Sequence, residues 1–172
     1  MGISDVFKEQ IVKRKETTMD RMKRAGLILA VVVIFFVVIS TPARQFVAII
    51  VAAAGFGAFY LMNFLRVEYE YIFTNGELDI DIIYNRSRRK RLFSSHVNKI
   101  EIMAHVEDMN YAGNFSGAQE VCNYSSGENG PDTYAFLINQ DGKMKKIIIE
   151  PNEKMLKAIS GSMSRTKLHL KR

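Results

Sequence analysis

Two long apolar runs interrupt an otherwise mixed pattern of polar and apolar positions. Residues 25–43 and 45–65 carry no charged side chain, and only Arg44 separates them. As helices, these 19 and 21 uncharged residues would be roughly 28 and 32 Å long, close to the hydrocarbon thickness of a bilayer. Neither run has the polar stripe of a soluble core helix. The pattern predicts a transmembrane hairpin over 24–65, with helices at about 25–41 and 45–65.

The turn of this hairpin is predicted at Ser40-Thr41-Pro42, because Pro42 lacks an N–H donor and disfavours helix at Thr41. A cleaved signal peptide is the alternative for the first run, but a second apolar run follows almost at once. Neither helix contains an Asp, Glu, Lys, Arg or His within its span, which argues against a channel or transporter.

Basic side chains lie on both flanks of the hairpin. Residues 1–24 hold seven, the turn holds only Arg44, and a basic run occupies 86–91. Lys and Arg remain on the cytoplasmic side of a membrane. We therefore expect a multi-pass protein of the cell (inner) membrane with both termini in the cytoplasm.

The second apolar run contains small residues four positions apart, which allow close approach of two helix backbones. They are Ala53 with Gly57 and Ala54 with Ala58. The partner is either the first helix of the same chain or another chain, as in a homo-oligomer or a larger membrane complex.

The N-terminal segment, residues 1–23, has apolar positions at helical spacing among basic ones. Ser4 or Asp5 would cap its start. The spacing predicts a short amphipathic helix, on the inner membrane surface or packed on the following domain. The residues at this helical spacing are Ile3, Val6, Phe7, Gln10 and Ile11.

Residues 66–160 alternate between polar and apolar positions, which predicts strands. The two clearest, 67–73 and 78–82, flank Asn75-Gly76, a strong hairpin signal. In this reading the aromatic and aliphatic side chains face inward. The acidic side chains face water: Glu68, Glu70, Asp79 and Asp81.

Six or seven antiparallel strands are expected in this domain. Further strands are predicted at about Lys90–Ser94, Val97–Met103, Glu120–Tyr124, Thr133–Asn139 and Met144–Glu150, with a long, poorly periodic segment at 104–131. A helix over 151–160 would begin at Asn152 as its cap and end at Gly161. The basic tail, 161–172, is expected to fray.

The chain is therefore expected to be an α+β membrane protein, in which a helical hairpin precedes a small antiparallel β-barrel or curled sheet closed by a C-terminal helix. This order resembles the pleckstrin-homology-like (PH-like) fold. Residues Glu68–Asp81 and Glu150–Leu156 resemble an uncharacterised bacterial family, domain of unknown function 6106. The resemblance implies a fold and a membrane location, and it brings no established activity.

The basic run is the most prominent charged feature: Arg86, Arg88, Arg89, Lys90 and Arg91. It is a candidate contact for anionic lipid headgroups or an acidic partner, or else a solvated turn that fixes topology. The 74–77 turn has no basic residue, whereas phosphoinositide-binding PH domains carry them at their first hairpin. The run lacks interleaved aromatics, so nucleic acid is not expected as a partner.

Little else in the sequence points to chemistry. One cysteine excludes a disulfide framework, and Cys122 has no neighbouring base in sequence to activate it. His105 with Glu107 and Asp108 is a weak metal pattern. We expect no metal, no cofactor and no catalytic residue. The expected role is membrane-anchored binding or scaffolding. The alternatives are that the protein is a subunit of a larger membrane complex, or a membrane-bound enzyme whose site lies in 104–131.

The overall composition changes one point in this picture. A net charge of +6 and a mean hydropathy near zero would by themselves describe a soluble basic protein of 172 residues. The charge divides into +3 for 1–24, +1 for the turn and +2 for 66–172. Much of the excess therefore lies beside the apolar runs.

Overall fold

The computed structural model describes residues 6–128 and 130–169. The chain divides into two compact units. The helical unit comprises 16–67 and 84–88, and the β unit comprises the remaining residues. The helical unit is thus an insertion between the first strand of the β unit and the rest of it.

Two long helices form most of the helical unit. Helix α1 is Thr18–Ile39, a 3-10 turn follows at Pro42–Phe46, and helix α2 is Val47–Asn63. Both are long and apolar enough to cross a membrane, and the apolar window of neither is buried. Large side chains such as Phe36 and Phe56 are mostly exposed, which suits a lipid environment and not water. The predicted pair of helices and its proline turn are confirmed as elements.

Helix α1 begins seven residues before its apolar run because a capping box fixes its start. The Thr17 hydroxyl accepts from Asp20 N at 3.3 Å, and Asp20 Oδ2 accepts from Thr17 N at 3.0 Å. Asp20 is buried, and its charge lies in the first turn, where the helix dipole favours an anion.

The first sheet of the β unit has the order β1-β2-β3-β4. Its strands are β1 Phe7–Lys13, β2 Val67–Thr74, β3 Glu77–Tyr84 and β4 Arg88–His96. The predicted β2–β3 hairpin is present: Asn75 and Gly76 have φ of 49° and 91°. A Cβ on Gly76 would lie 2.8 Å from His96 Nε2, so the turn needs glycine for space as well as conformation.

The predicted N-terminal amphipathic helix is wrong over the described residues, because Phe7–Lys13 is a strand. It pairs antiparallel with β2, from Phe7 opposite Thr74 to Lys13 opposite Glu68. Over so short a segment, the same apolar positions fit both the helical and the strand period. Pairing with β2 decides between them, and β2 lies more than fifty residues away. Ile3 and the expected caps Ser4 and Asp5 lie outside the described residues.

The second sheet has the order β6-β8-β7-β5-β9. Its strands are β5 Ile100–His105, β6 Glu120–Asn123, β7 Tyr134–Gln140, β8 Lys143–Ile149 and β9 Leu168–His169. The expectation of purely antiparallel strands is wrong, because β6 pairs parallel to β8 and β9 parallel to β5. Over the described part of the chain the two sheets stay separate and form no closed barrel.

The main core lies between the two sheets and helix α3, Glu153–Ser162. Its largest buried side chains include Tyr71, Phe73, Leu78, Ile80, Phe136, Ile138, Ile147, Ile149, Met155 and Ile159. As predicted, Asn152 caps α3: its Oδ1 accepts from Met155 N at 2.8 Å. Gly161 does not end the helix, which continues to Ser162.

Two segments expected to be irregular are ordered by tertiary contacts. Phe115, in the 104–131 segment, joins Ile102, Ala104, Ala135 and Leu137 in a second apolar cluster. The sequence predicts that the tail frays, but as far as residue 169 it is held by contacts with the rest of the β unit. Its strand β9 pairs with β5, and the His169 ring stacks on Tyr111 at 3.9 Å between centroids.

Candidate functional site: two basic surfaces

The acidic residues of the first hairpin do not all face water, contrary to expectation. Glu70 and Asp81 are only 1% and 3% exposed. Strand alternation does place them on the face opposite Tyr71 and Ile80, as the sequence indicates. That face is covered, however, by long side chains of the neighbouring strands, so the carboxyl groups are buried there.

Two arginines of the basic run neutralise these acids. Arg89 Nη2 donates to Glu70 Oε1 at 2.8 Å. Arg91 donates from Nε to Asp81 Oδ1 and from Nη1 to Asp79 Oδ2, each at 2.9 Å. The hydrogen bond to Asp81 raises the pKa of Arg91, which therefore stays charged. A planar guanidinium is suited to bridging two carboxylates in this way.

A carboxyl pair lies beside the Arg89 contact. Glu9 on β1 is within hydrogen-bonding reach of the Glu70 carboxyl, whose second oxygen, Oε2, has no other donor among the described residues. Two carboxyl groups can share a hydrogen bond only when one is protonated. Burial, and then the contact with Glu9, raise the pKa of Glu70 against the opposing effect of Arg89.

The remaining members of the run have different surroundings. Arg86 and Arg88 belong to the helical unit, where the 84–88 turn packs on the end of α2. Asn85 N donates to Arg66 O at 3.1 Å, and the Arg88 guanidinium lies 5.8 Å from the Phe64 ring centroid. Lys90 is exposed on β4. The five basic residues that look alike in the sequence therefore belong to two different units.

A second basic surface, the lysine groove, lies between β1 and α3. It is an open groove of about 550 Å³, lined by Val6, Lys8, Lys154, Lys157, Ala158, Gly161 and Ser162. Nothing in the sequence pattern singles out these lysines, because Lys8 is more than 140 residues from the others. The spacing of Lys154, Lys157, Ala158 and Gly161 is the one available signal, since it places them on one face of a helix.

Gln10 fixes the two walls of the lysine groove to each other. Its Nε2 donates to Glu150 O and its Oε1 accepts from Asn152 N, both at 2.7 Å. One amide side chain thus holds β1 against the start of α3. Small side chains at Ala158 and Gly161 then leave the space between strand and helix open.

The small residues of α2 divide between two faces. Ala58 is buried and Ala54 is half-buried, whereas Ala53 and Gly57 are exposed. Helix α1 packs along α2. A Cβ on Gly57 would meet no atom within 4 Å.

The residues considered as metal ligands or as a nucleophile make structural contacts instead. His105 is buried, its Nε2 donates to Pro131 O at 2.8 Å, and its Nδ1 accepts from Glu107 N at 3.2 Å, so neither ring nitrogen is available to a metal. Asp108 Oδ1 accepts from Asn110. Burial raises the pKa of Cys122, which disfavours the thiolate a nucleophile needs. Over 6–128 and 130–169, no three His, Cys, Asp or Glu side chains are placed to hold a metal ion.

One protein family matches this chain. Its description is Bacterial PH-like domain (DUF6106), and the match covers residues 4–168. It therefore includes the helical insertion as well as both sheets and α3. No curated protein and no solved structure matches the chain significantly.

Proposed function

This chain belongs to the bacterial PH-like domain family (DUF6106), and we propose that it is a membrane-anchored, non-catalytic binding or scaffold module. In this proposal α1 and α2 cross the cell membrane, and the β unit and both termini lie on its cytoplasmic face.

The pairing of β1 with β2 is the observation that carries the proposal. Lys13 lies opposite Glu68 in the ladder; four residues separate Lys13 from the start of α1, and four separate the end of α2 from Glu68. The start of α1 and the end of α2 are therefore attached to the same strand pair. A chain with this connection crosses a bilayer twice and returns to the side it left, which keeps the β unit on one side.

The distribution of charge supports the cytoplasmic side. Arg66, Arg86 and Arg88 lie at the end of α2, and Arg24 lies near the start of α1, where it pairs with Glu16 at 2.5 Å. Positively charged flanks stay in the cytoplasm. We propose that Arg86 and Arg88 contact anionic headgroups non-specifically and help to fix this topology.

The test is cysteine accessibility in intact cells. In a Cys122→Ser background, Thr41→Cys marks the hairpin turn and Lys143→Cys marks the exposed β7–β8 turn. A membrane-impermeant thiol reagent should label position 41 in intact cells, and position 143 only after the membrane is permeabilised. The Cys122→Ser chain alone is the background control. Labelling at 143 in intact cells would disprove the cytoplasmic placement.

A second role is favoured by the exposed face of α2. Because Ala53 and Gly57 face away from the buried side, we propose that they pack against another helix, from a second copy or from a partner subunit. Gly57→Leu should abolish co-purification of that partner, whereas Gly55→Leu should retain it. Equal co-purification with both variants would rule out this contact.

A further inference from the structure

The lysine groove has the chemistry of a phosphate site with an apolar floor. Lys8, Lys154 and Lys157 carry three amines at its rim, and no acidic side chain lines its described surface. Lys157 also pairs with Glu153 at 2.5 Å, but both side chains are largely exposed, so this contact is weak. Val6, Ala158 and Gly161 provide the apolar part.

The groove differs from the basic run in that no buried acid pairs with its lysines; among its described lining residues, the ion pair of Lys157 is with the exposed Glu153. Arg89 and Arg91 are paired with buried acids. At the groove three lysines line an open cavity of about 550 Å³, larger than a phosphate group alone requires. A ligand that joins an anion to an apolar body matches both features.

We propose that the lysine groove binds the headgroup of an anionic phospholipid, with the phosphate among the three ammonium groups and the glycerol portion on the apolar floor. This proposal rests on the membrane anchor of the proposed function, which keeps lipid at high local concentration. Each lysine near an anionic surface contributes about a fivefold increase in affinity.

The experiment is lysine footprinting of the full chain in nanodiscs. An amine-reactive reagent is applied in nanodiscs of phosphatidylcholine and in nanodiscs rich in phosphatidylglycerol, and labelling rates are read by mass spectrometry. Lys8, Lys154 and Lys157 should react at least about fivefold more slowly in the anionic discs. Lys99 and Lys143, exposed on the same β unit, should change much less.

Three outcomes would overturn the proposal. Equal slowing at Lys99 and Lys143 would show only general surface attraction. No slowing at the groove lysines would show that the lipid does not enter. Equal protection by inorganic phosphate in phosphatidylcholine discs would assign the groove to soluble phosphate in place of lipid.

The result is separable from the topology test. Both leaflets of a nanodisc are accessible, so groove protection is read without reference to orientation in the cell. Loss of protection together with the expected cysteine pattern would disprove the lipid site alone. Protection with a reversed cysteine pattern would disprove the cytoplasmic placement alone.

Discussion

The basic run at 86–91 and the lysine groove differ in how well the sequence reveals the charge that is available to a ligand. The run at 86–91 is conspicuous in the sequence, yet Arg89 and Arg91 are paired with acids buried in the sheet. The lysine groove is invisible in the sequence, yet its rim is cationic and no acid lines it. A cluster of charge along the chain is therefore a poor guide to charge available for a ligand, because the sheet can place acids beneath it.

The largest effect is expected from Arg91→Ala, which leaves Asp79 and Asp81 together without their shared cation. Asp81 is almost fully buried, whereas Arg91 is half-exposed. Removing one partner of such a pair costs about 2 kcal/mol of unfolding free energy after allowance for solvent. Denaturation of the purified full chain, followed by circular dichroism, measures the loss. Lys90→Ala, its exposed neighbour, is the control, and an equal loss there would contradict this account.

Arg89→Ala should cost less, about 1 kcal/mol near neutral pH, because burial, and then the contact with Glu9, raise the pKa of Glu70 and so favour its neutral form. The cost should shrink as the pH falls and Glu70 becomes protonated. The same denaturation series at several pH values measures this. A cost that does not change with pH would argue against a raised pKa of Glu70.

Glu70→Gln should change how the free energy of unfolding varies with pH more than it changes the value of that free energy. A raised carboxyl pKa favours the protonated form in the fold. The stability that protonation of Glu70 contributes is fully present below the ordinary pKa of 4.5. It is lost as the pH rises through the higher pKa that Glu70 has in the folded state. The variant should flatten this decline, as measured by melting temperature between about pH 5 and pH 8. Glu101→Gln, on an exposed site, should leave the decline in place.

The smallest effect on stability is expected at the groove. Replacing Lys8, Lys154 and Lys157 by Gln should change unfolding free energy by less than about 0.5 kcal/mol, because exposed lysines contribute little to the fold. Affinity for a short-chain, water-soluble phosphatidylglycerol should fall on the order of a hundredfold. Calorimetry on the full chain in zwitterionic detergent measures it. Replacing Lys90, Lys99 and Lys143 by Gln removes the same charge and should retain binding.

Elements encoded by local chemistry were predictable from the sequence. The apolar runs predict α1 and α2, Asn75-Gly76 predicts the β2–β3 turn, and Asn152 predicts the start of α3. In each case a few neighbouring residues carry the cause: unbroken apolarity, positive φ, or a side chain that accepts a helix N–H.

Elements that depend on distant partners were not predictable. Residues 7–13 fit a helical pattern locally, but hydrogen bonds to β2 and the contacts of Gln10 with 150–152 make them a strand. Gly161 looks like a helix end, but α3 continues past it.

The sequence by itself thus determined the two apolar helices, the alternating strands and the family of this protein. Only the tertiary structure decided which charges remain available. It buried Glu70 and Asp81 beneath two arginines, and it brought Lys8 to a helix that follows more than 140 residues later. The physical reason is that periodicity reports the immediate neighbours of a residue, whereas burial and electrostatic pairing depend on what the fold packs against it.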